Sequence, residues 1–247
     1  MVKNNKFKIL VISPLFYPQV GGAQQHMEDL HVFLMKKHPE IEVNVLCYQT
    51  KRSLKTERYR GMNIYRLKCW NILPGQFALP DMISLFSFLW KKRNSYDLIH
   101  CNTRFFDSSW WAPLYAKLIG KKIILTDHCA SNPVHPNRMI NLIANLLDLT
   151  IARLALRSFD KVYSISKATK NFLKDSYVID SVLNPGGVNL SVFKSGRIVR
   201  KNPVVIFIGR IIDTKGVKML FQAAVKFPQN NFIFVGEGPL LSNLKQQ

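Results

Sequence analysis

The sequence VVIFIGRIIDTKG, from Val204 to Gly216, combines a short apolar run with a glycine turn and two cations. Its five apolar residues Val204–Ile208 have the composition of a buried parallel strand, and Gly209 ends that strand in a turn. The turn carries Arg210 and, five residues later, Lys215, just before a predicted helix. Two fixed cations beside the positive end of a helix dipole are suited to binding a diphosphate.

A second strand–glycine–helix junction lies near the start of the chain. A predicted strand, Phe7–Ser13, is followed by Gly21-Gly22 and by a helix that we expect to begin at Ala23. The paired glycines fit either a tight turn or a ligand-binding loop, and the G-x-G-x-x-G fingerprint of dinucleotide sites is absent. Two such junctions predict two α/β units facing one ligand.

Composition and charge limit the class of protein. The 247 residues are 47% hydrophobic, enough for one large domain or two ordinary ones. Lys and Arg number 35 against 15 Asp and Glu, a net charge of +20 that favours an anionic partner. The sequence contains no zinc finger, RNA-binding aromatic signature or helix-turn-helix, so we expect no nucleic-acid partner.

Cysteine spacing and apolar runs predict the compartment. The four cysteines stand singly, without a C-x-x-C pair: Cys47, Cys69, Cys101 and Cys129. They are expected to be reduced thiols, which favours the cytosol. The most apolar run, Met139–Leu156, carries Asp148 and Arg153, so we expect no membrane-spanning segment.

Strand and helix patterns alternate along the chain. The predicted strands are Phe7–Ser13, Glu42–Cys47, Met62–Leu67, Leu98–Asn102, Lys122–Thr126, Lys161–Ser166 and Tyr177–Leu183. Helices are predicted from Ala23 and over Pro80–Arg93, Ser108–Leu118, Arg138–Arg157 and Lys167–Lys174, the last with Ser166 as N-cap. This alternation predicts an α/β fold with a doubly wound parallel sheet.

The chain divides at Asn184-Pro185-Gly186-Gly187, after which the sequence is polar and basic. We therefore expect a Rossmann-like domain over 1–184, a hinge over 185–202 and the start of a second domain over 203–247. The last part would contain strand Val204–Ile208, helix Val217–Phe227, strand Asn231–Val235 and a further helix. So short a unit buries little surface, which predicts that the second domain is truncated.

Six motifs in order carry a family resemblance. They are Pro14–Gly22, Asp97-Leu98-Ile99-His100, Thr126-Asp127-His128, Asn184 to Phe193, Gly209-Arg210 to Lys215-Gly216, and Val235-Gly236-Glu237-Gly238-Pro239. Together they resemble the motifs of the retaining glycosyltransferases of family 4. The resemblance implies the GT-B architecture, in which two Rossmann-like domains face each other across a cleft.

The resemblance implies transfer of a sugar from a nucleotide-sugar to an acceptor hydroxyl, with the anomeric configuration retained. The catalytic residues implied are His128, Arg210 and Lys215, and the substrate-binding residues Gly21, Gly22, Arg210, Lys215, Glu237 and Gly238. The two cations would stabilise the departing diphosphate in place of a metal, so no cofactor is expected. Without the resemblance, His128 would fit an ordinary paired histidine, and the cations would fit solvated surface charges.

Two departures from the family pattern bear on activity. Gln24 stands where the family often has Glu, and the acidic motif of the family's second domain is not in the sequence. We therefore expect the chain to be inactive alone. The alternative is a non-catalytic acceptor-binding subunit, or an interrupted enzyme that needs a partner chain.

The acceptor is expected to contact the first domain. The stretch Phe77–Arg93, which contains the predicted helix Pro80–Arg93, combines aromatic residues with the cluster Lys91-Lys92-Arg93. This pattern fits a helix at an anionic membrane surface, and it fits equally a core helix with a basic end. We expect a glycan or lipid-linked acceptor and a cytoplasmic protein held peripherally at the membrane.

Overall fold

The computed structural model describes residues 6–19, 21–50, 54–74, 76–188, 190 and 204–246. The chain forms two compact units, Met1–Val188 and Asn189–Gln247. Their division falls inside the predicted hinge 185–202. Most of that hinge lies outside the described residues, so the hinge stays a prediction.

The first unit alternates strands and helices. Its strands are β1 (Phe7–Ile12), β2 (Ile41–Tyr48), β3 (Thr56–Tyr59), β4 (Met62–Leu67), β5 (Cys69–Leu73), β6 (Phe77–Pro80), β7 (Leu98–Asn102), β8 (Lys122–Asp127), β9 (Lys161–Ser164) and β10 (Val182–Leu183). Its helices are α1 (Gly22–Lys37), α2 (Met82–Lys92), α3 (Ser108–Leu118), α4 (Arg138–Leu147), α5 (Arg153–Leu156) and α6 (Lys167–Tyr177), with a π-helical turn over Asp148–Ala152.

Eight of these strands form one sheet in the order β10-β9-β8-β7-β1-β2-β4-β3. All neighbours pair in parallel except β3, which runs antiparallel to β4. The predicted doubly wound parallel sheet is confirmed. The strand order reverses between β1 and its neighbours β7 and β2, which puts a switch point at the carboxyl end of β1.

Alternation along β1 builds a core on each face of the sheet. Leu10 and Ile12 pack with residues of α2, α3, α5 and α6, whereas Ile9 and Val11 pack with Met27 of α1. Successive side chains of a strand point to opposite faces, so one apolar strand supplies both layers. The near-continuous apolar sequence of β1 follows from this double burial.

One strand prediction is wrong. Tyr177, expected in a strand over Tyr177–Leu183, is the last residue of α6 and is fully buried. It lies four residues after buried Leu173, on the same face of the helix. Val178 ends the helix in a left-handed conformation, and only Val182–Leu183 pairs as a strand.

Three elements were not predicted: strand β3 and the two strands of the antiparallel hairpin β5–β6. The hairpin forms its own two-stranded sheet beside the main one. It leaves Trp70 and Ile72 more than half exposed.

The segment from α4 to α5 is a continuous helical run of 19 residues, Arg138–Leu156, with mean hydropathy 1.5. By length and composition it could cross a membrane, so the expectation that no stretch is long and apolar enough was wrong on that criterion. Only 17% of the run is buried. One face of the run is packed into the domain through three buried residues, Asp148, Ala152 and Leu156.

Helix α2 has two apolar faces. Leu85 and Leu89 are buried in the core, as the core-helix interpretation expects. Ile83, Phe86 and Trp90 on the other side are 81%, 63% and 69% exposed, as expected of a helix at an interface. Both features that the sequence left open are therefore present in this helix.

The second unit contains strand β11 (Val204–Ile208), a 3₁₀ turn (Asp213–Lys215), helix α7 (Val217–Lys226), strand β12 (Asn231–Val235) and helix α8 (Leu241–Gln246). The two strands pair in parallel over their whole length. Both of them leave large apolar side chains in solvent, among them Ile208 at 78% and Val235 at 48% exposure. The predicted order of strands and helices in this unit is confirmed.

Candidate functional site

The candidate site of the first unit lies where β1, β7 and β8 end. Ser13, Asn102 and Thr126 are buried there, and the Asn102 amide donates to Ser13 Oγ at 3.0 Å. The carboxyl ends of parallel strands meet at one edge of the sheet, where ligands of open α/β folds bind. This edge carries two of the sequence-predicted segments, the paired glycines and the turn with His128.

The glycines form the uncapped start of α1. Gly21 is the extended N-cap residue and Gly22 the first helical residue, and no side chain caps the helix. The side chain of Gln24 folds back against Gly21. A Cβ at Gly22 would meet nothing within 4 Å, so packing does not require glycine at this position.

His128 follows β8 and lies against a histidine that the sequence analysis did not single out. The rings of His128 and His26 meet edge to face, with centroids 5.0 Å apart. Among the described residues, His128 Nε2 and His26 Nδ1 are buried and have no hydrogen-bond partner. Buried polar atoms are normally paired, so two unpartnered nitrogens at this edge of the sheet mark it as a candidate binding site.

Both rings are neutral at physiological pH. Burial, with a smaller contribution from His26, lowers the pKa of His128 to about 4. Burial also lowers the pKa of His26, although Asp29 acts in the opposite direction. A neutral imidazole can donate one hydrogen bond and accept another, so this pair is equipped to position hydroxyl groups.

A second pair of histidines is buried behind the first. His31 Nδ1 donates to Met27 O at 2.7 Å, because a carbonyl only accepts. Its Nε2 must therefore accept from His100 Nδ1 at 3.1 Å, and His100 Nε2 accepts from the hydroxyl of Thr126 at 2.8 Å. Burial lowers the pKa of His100 well below its ordinary value. His100 is thus fully paired in the core.

A buried arginine fixes the turn that carries His128. The Arg104 side chain is fully buried and pairs with two carboxylates, those of Asp127 and Asp148. Its Nε lies 3.2 Å from Asp148 Oδ1. It also donates to Ser131 O at 2.7 Å. Asp127 in turn accepts from the His128 backbone N–H at 3.0 Å. The backbone of the turn at His128 is therefore held by an ionic network inside the domain.

The predicted hinge segment begins at this same edge. Asn184 donates its backbone N–H to Ser164 O at 2.8 Å. A Cβ added to Gly186 would lie 2.9 Å from the ring of His26, so a larger residue would push that ring aside. The first glycine loop, the His128 turn and Gly186 come together around His26.

In the second unit, the predicted phosphate motif occupies the turn between β11 and α7. Arg210 and Lys215 are exposed, and neither forms an ion pair with any described residue. Lys215 immediately precedes Gly216, the left-handed N-cap of α7. Two cations that form no ion pair with a described carboxylate and lie beside a helix N-terminus are suited to binding a diphosphate.

The turn with Glu237 and Gly238 lies against that motif. Ile211 donates its backbone N–H to Glu237 O at 2.8 Å. A Cβ at Gly236 would collide with Gly209 O, and one at Gly238 would collide with Ile211 O. These glycines let the two turns approach each other, so their first role is backbone packing.

The turns of the site were predicted from the sequence, whereas two supporting side chains, His26 and Arg104, were not. His26 had a signal, since it lies four residues after Gly22 and thus one helical turn from the glycine loop. Arg104 had none, because nothing in the sequence shows that its two carboxylate partners approach it. Within the described part of the chain, no group of three or more His, Cys, Asp or Glu side chains is placed to hold a metal ion.

Comparison with known proteins establishes the family. The sequence model of Glycosyltransferase Family 4 matches residues 20–192, which is more than half of the chain. The chain belongs to glycosyltransferase family 4. The resemblance inferred from the six motifs is confirmed.

Curated relatives of this family 4 chain are distant and longer. An uncharacterized glycosyltransferase of Methanocaldococcus jannaschii is 25% identical over 98% of this chain and 66% of its own length. A phosphatidylinositol N-acetylglucosaminyltransferase subunit of Arabidopsis thaliana is 21% identical over 97% of this chain and 54% of its own length. The chain thus spans between about half and two thirds of the length of these relatives.

Solved structures share the GT-B fold of this family 4 chain. Anabaena HepE in complex with UDP matches 98% of this chain and 65% of its own, with a TM-score of 0.64 at 16% identity. The catalytic domain of starch synthase IV from Arabidopsis thaliana, bound to ADP and acarbose, matches 98% and 70%, with a TM-score of 0.60 at 12% identity. The predicted fold class is confirmed.

Proposed function

We propose that this chain acts in the transfer of a sugar from a nucleotide-sugar to an acceptor hydroxyl, with retention of the anomeric configuration. The observation that carries the proposal is His128 in a family 4 chain: a neutral ring at the carboxyl end of β8, whose low pKa follows from burial and whose buried Nε2 is unpartnered. Such a nitrogen hydrogen-bonds a sugar hydroxyl without adding charge. His26 and the uncapped start of α1 support the same assignment.

In the proposed reaction the bond between the anomeric carbon and the diphosphate oxygen breaks, and the acceptor oxygen bonds to that carbon. The acceptor proton passes to the departing diphosphate on the same face of the sugar. His128 would position the sugar and would not act as a base, because a ring with a pKa of about 4 is a weak proton acceptor at neutral pH.

Negative charge grows on the diphosphate as it leaves, and Arg210 and Lys215 would stabilise it more strongly in the transition state than in the ground state. Their freedom from carboxylate partners among the described residues supports this role. Relatives in fold were solved with UDP or UDP-glucose, which favours a nucleotide-sugar donor. Metal independence is part of the proposal, since the two cations would supply the positive charge.

Binding of UDP to the chain tests the phosphate assignment. Arg210→Ala and Lys215→Ala should each weaken binding by about 1.5–3 kcal/mol, because each removes a charge-assisted hydrogen bond. Isothermal titration calorimetry measures this directly. Lys218→Ala is the matched control, since its ammonium lies nearby and pairs with Asp213 at 2.6 Å. Equal losses in all three variants, or no loss in any, would contradict the assignment.

We propose further that the acceptor is presented at an anionic membrane surface on the cytoplasmic side. Helix α2 supports this, since Ile83, Phe86 and Trp90 are exposed and Lys91 and Lys92 end the helix. Exposed aromatics beside cations are typical of interfacial helices. The relative in Arabidopsis thaliana is named for phosphatidylinositol, a lipid.

Vesicle flotation tests the membrane assignment. The chain should float with phosphatidylglycerol vesicles and be released by salt, because screening acts within about 10 Å at 0.1 M salt. Lys91→Gln with Lys92→Gln should reduce binding by about 1 kcal/mol per charge. Lys36→Gln with Lys37→Gln, at the end of α1, removes equal charge elsewhere. Equal binding by both double variants would contradict a role for α2.

We also propose that the chain needs a further component for activity. The exposed apolar side chains of β11 and β12 favour the view that the second unit needs further strands to complete its sheet. A second candidate function follows: an acceptor-binding subunit completed by a partner chain, favoured by the relatives named as transferase subunits. In either case we expect no sugar transfer by this chain alone.

A further inference from the structure

The first unit contains an apolar groove of about 600 Å³ that the proposed reaction does not use. Ile72 and Phe77 of the β5–β6 hairpin form one wall, and Ile143 and Leu147 of α4 form another. Trp110 of α3 and Val134 of the loop before α4 complete it. We propose that this groove binds one hydrocarbon chain of an anionic lipid. The inference rests on the proposed lipid acceptor and names the place where the hydrocarbon part of that acceptor binds.

The lining argues for a hydrocarbon ligand. Most of the groove surface is apolar, and a volume of this order is typical of sites that enclose a small ligand. Ile72, Val134 and Ile143 are 55%, 76% and 50% exposed, so the groove opens to solvent along its length. Apolar surface left in water is unfavourable, and a hydrocarbon chain removes it from water.

The charges around the groove argue for an anionic headgroup. Neither the hairpin segment 69–80 nor helix α4 contains an acidic residue. Exposed Arg138 is the first residue of α4. Asp148, at the floor of the groove, is buried and pairs with Arg104, which also pairs with Asp127. Between them, the hairpin segment 69–80 and α4 contain one charged residue, Arg138, and its cation complements the phosphate of a membrane lipid.

The groove is joined to the His128 turn by direct contacts. Arg104 binds both Asp148 at the groove floor and Asp127 beside His128. The same loop runs from His128 to Val134, and Arg104 holds it through Ser131 O. One ionic anchor thus supports both the turn and the groove wall. This arrangement is expected if headgroup and chain belong to one acceptor.

Binding of n-alkyl phosphates below their critical micelle concentrations tests the inference. We expect one dodecyl phosphate to bind per chain, as measured by isothermal titration calorimetry. From hexyl to dodecyl phosphate, affinity should rise by up to about fourfold per methylene, the equivalent of 0.8 kcal/mol. Inorganic phosphate provides the headgroup alone and should bind far more weakly. Affinity independent of chain length would overturn the inference.

Two neighbouring positions on α4 provide matched variants. Ile143→Asp places a charge inside the groove and should weaken dodecyl phosphate binding about tenfold or more. Leu142→Asp adds the same charge to the same helix outside the groove, at a residue that is 65% exposed. It should bind like the parent chain. Equal binding by the two variants would overturn the assignment.

Val134→Asp repeats the test from the loop wall, where 76% exposure makes a folding defect a poor explanation for lost binding. Thermal melting checks that each variant is folded. No step of the experiment requires a donor or sugar transfer. If the protein binds dodecyl phosphate but not UDP, only the proposed transferase role is contradicted. If it binds UDP but not dodecyl phosphate, only this inference is contradicted.

Discussion

At the scale of single residues, burial sets the chemistry of the histidines. His31 and His100 are buried, and each ring nitrogen of the pair has a partner. Protonation of either ring would require one of these acceptor nitrogens to become a donor. Both rings therefore stay neutral in the folded chain, and their protonation is linked to unfolding.

This linkage predicts a pH dependence of stability. Burial lowers the pKa of His31 from 6.5 to about 4, with the carbonyl of Met27 acting in the opposite direction. Between these values the unfolded chain binds a proton that the folded chain does not. Stability is therefore full above pH 6.5 and falls as the pH drops toward 4, by about 2–3 kcal/mol for this residue.

Urea unfolding of the parent chain and of His31→Gln at several pH values measures the contribution of His31. The parent should lose more free energy of unfolding than the variant between pH 7 and pH 4, because glutamine does not titrate. Carboxylates titrate in both proteins and cancel in the difference. His38→Gln, at the exposed surface, is the control. Parallel curves for the parent and His31→Gln would refute the linkage.

Some residues of the candidate site were predictable from the sequence and others were not. His128 was predicted from the family resemblance, and the structure puts it at the carboxyl edge of the sheet. The buried ion pairs of Arg104 were not predictable, since Asp127 and Asp148 lie 23 and 44 residues further along the chain. Such contacts depend on the packing of several elements, which sequence spacing does not encode.

Among the elements, the start of α1 is a place where a substitution distinguishes a folding role from a functional role. Gly22 has ordinary helical geometry and open space around its missing Cβ. Gly22→Ala should therefore leave stability unchanged or raise it by up to about 1 kcal/mol, because alanine favours the helix. If a ligand approaches the backbone here, the new methyl group should nevertheless obstruct it.

The measurement pairs chemical denaturation with a sugar-transfer assay on this chain supplemented with the partner chain that the proposed function expects. The expected result is normal stability with reduced turnover. Gly187→Ala, in an equally open position away from the helix start, is the control and should affect neither quantity. Full activity in Gly22→Ala would mean that the glycine is only a turn residue.

Elements with a regular apolar period were predictable, and those defined by local pairing were not. Strands Met62–Leu67 and Leu98–Asn102 and helix Ser108–Leu118 have the predicted bounds. The β5–β6 hairpin was missed because Pro74 interrupts its apolar residues and its pairing is irregular between Trp70 and Leu73. It is also the element that forms one wall of the groove, so the missed element is the one on which the chain-binding inference depends.

At the scale of the whole molecule, the two units differ in how well they bury their apolar residues. The first unit has a core on both faces of an eight-stranded sheet. In the described part of the second, two strands pair, and apolar residues of both, such as Ile206 at 51% and Ile233 at 42%, remain in solvent. Because buried apolar area is the main source of stability, the first unit should be far more resistant to unfolding.

Limited trypsin digestion should reveal this difference. The polar segment 185–202 contains Lys194, Arg197, Arg200 and Lys201 as cleavage sites. We expect cleavage there first, followed by loss of the second unit, since proteolysis follows the population of open states. A stable fragment that begins at residue 1 and ends inside this segment should accumulate, as identified by mass spectrometry. Addition of UDP should slow the loss of the second unit, because a ligand stabilises the state that binds it. Persistence of the full-length chain, or first cleavage within the eight-stranded sheet, would contradict the division into a well-packed first unit and a weakly packed second one.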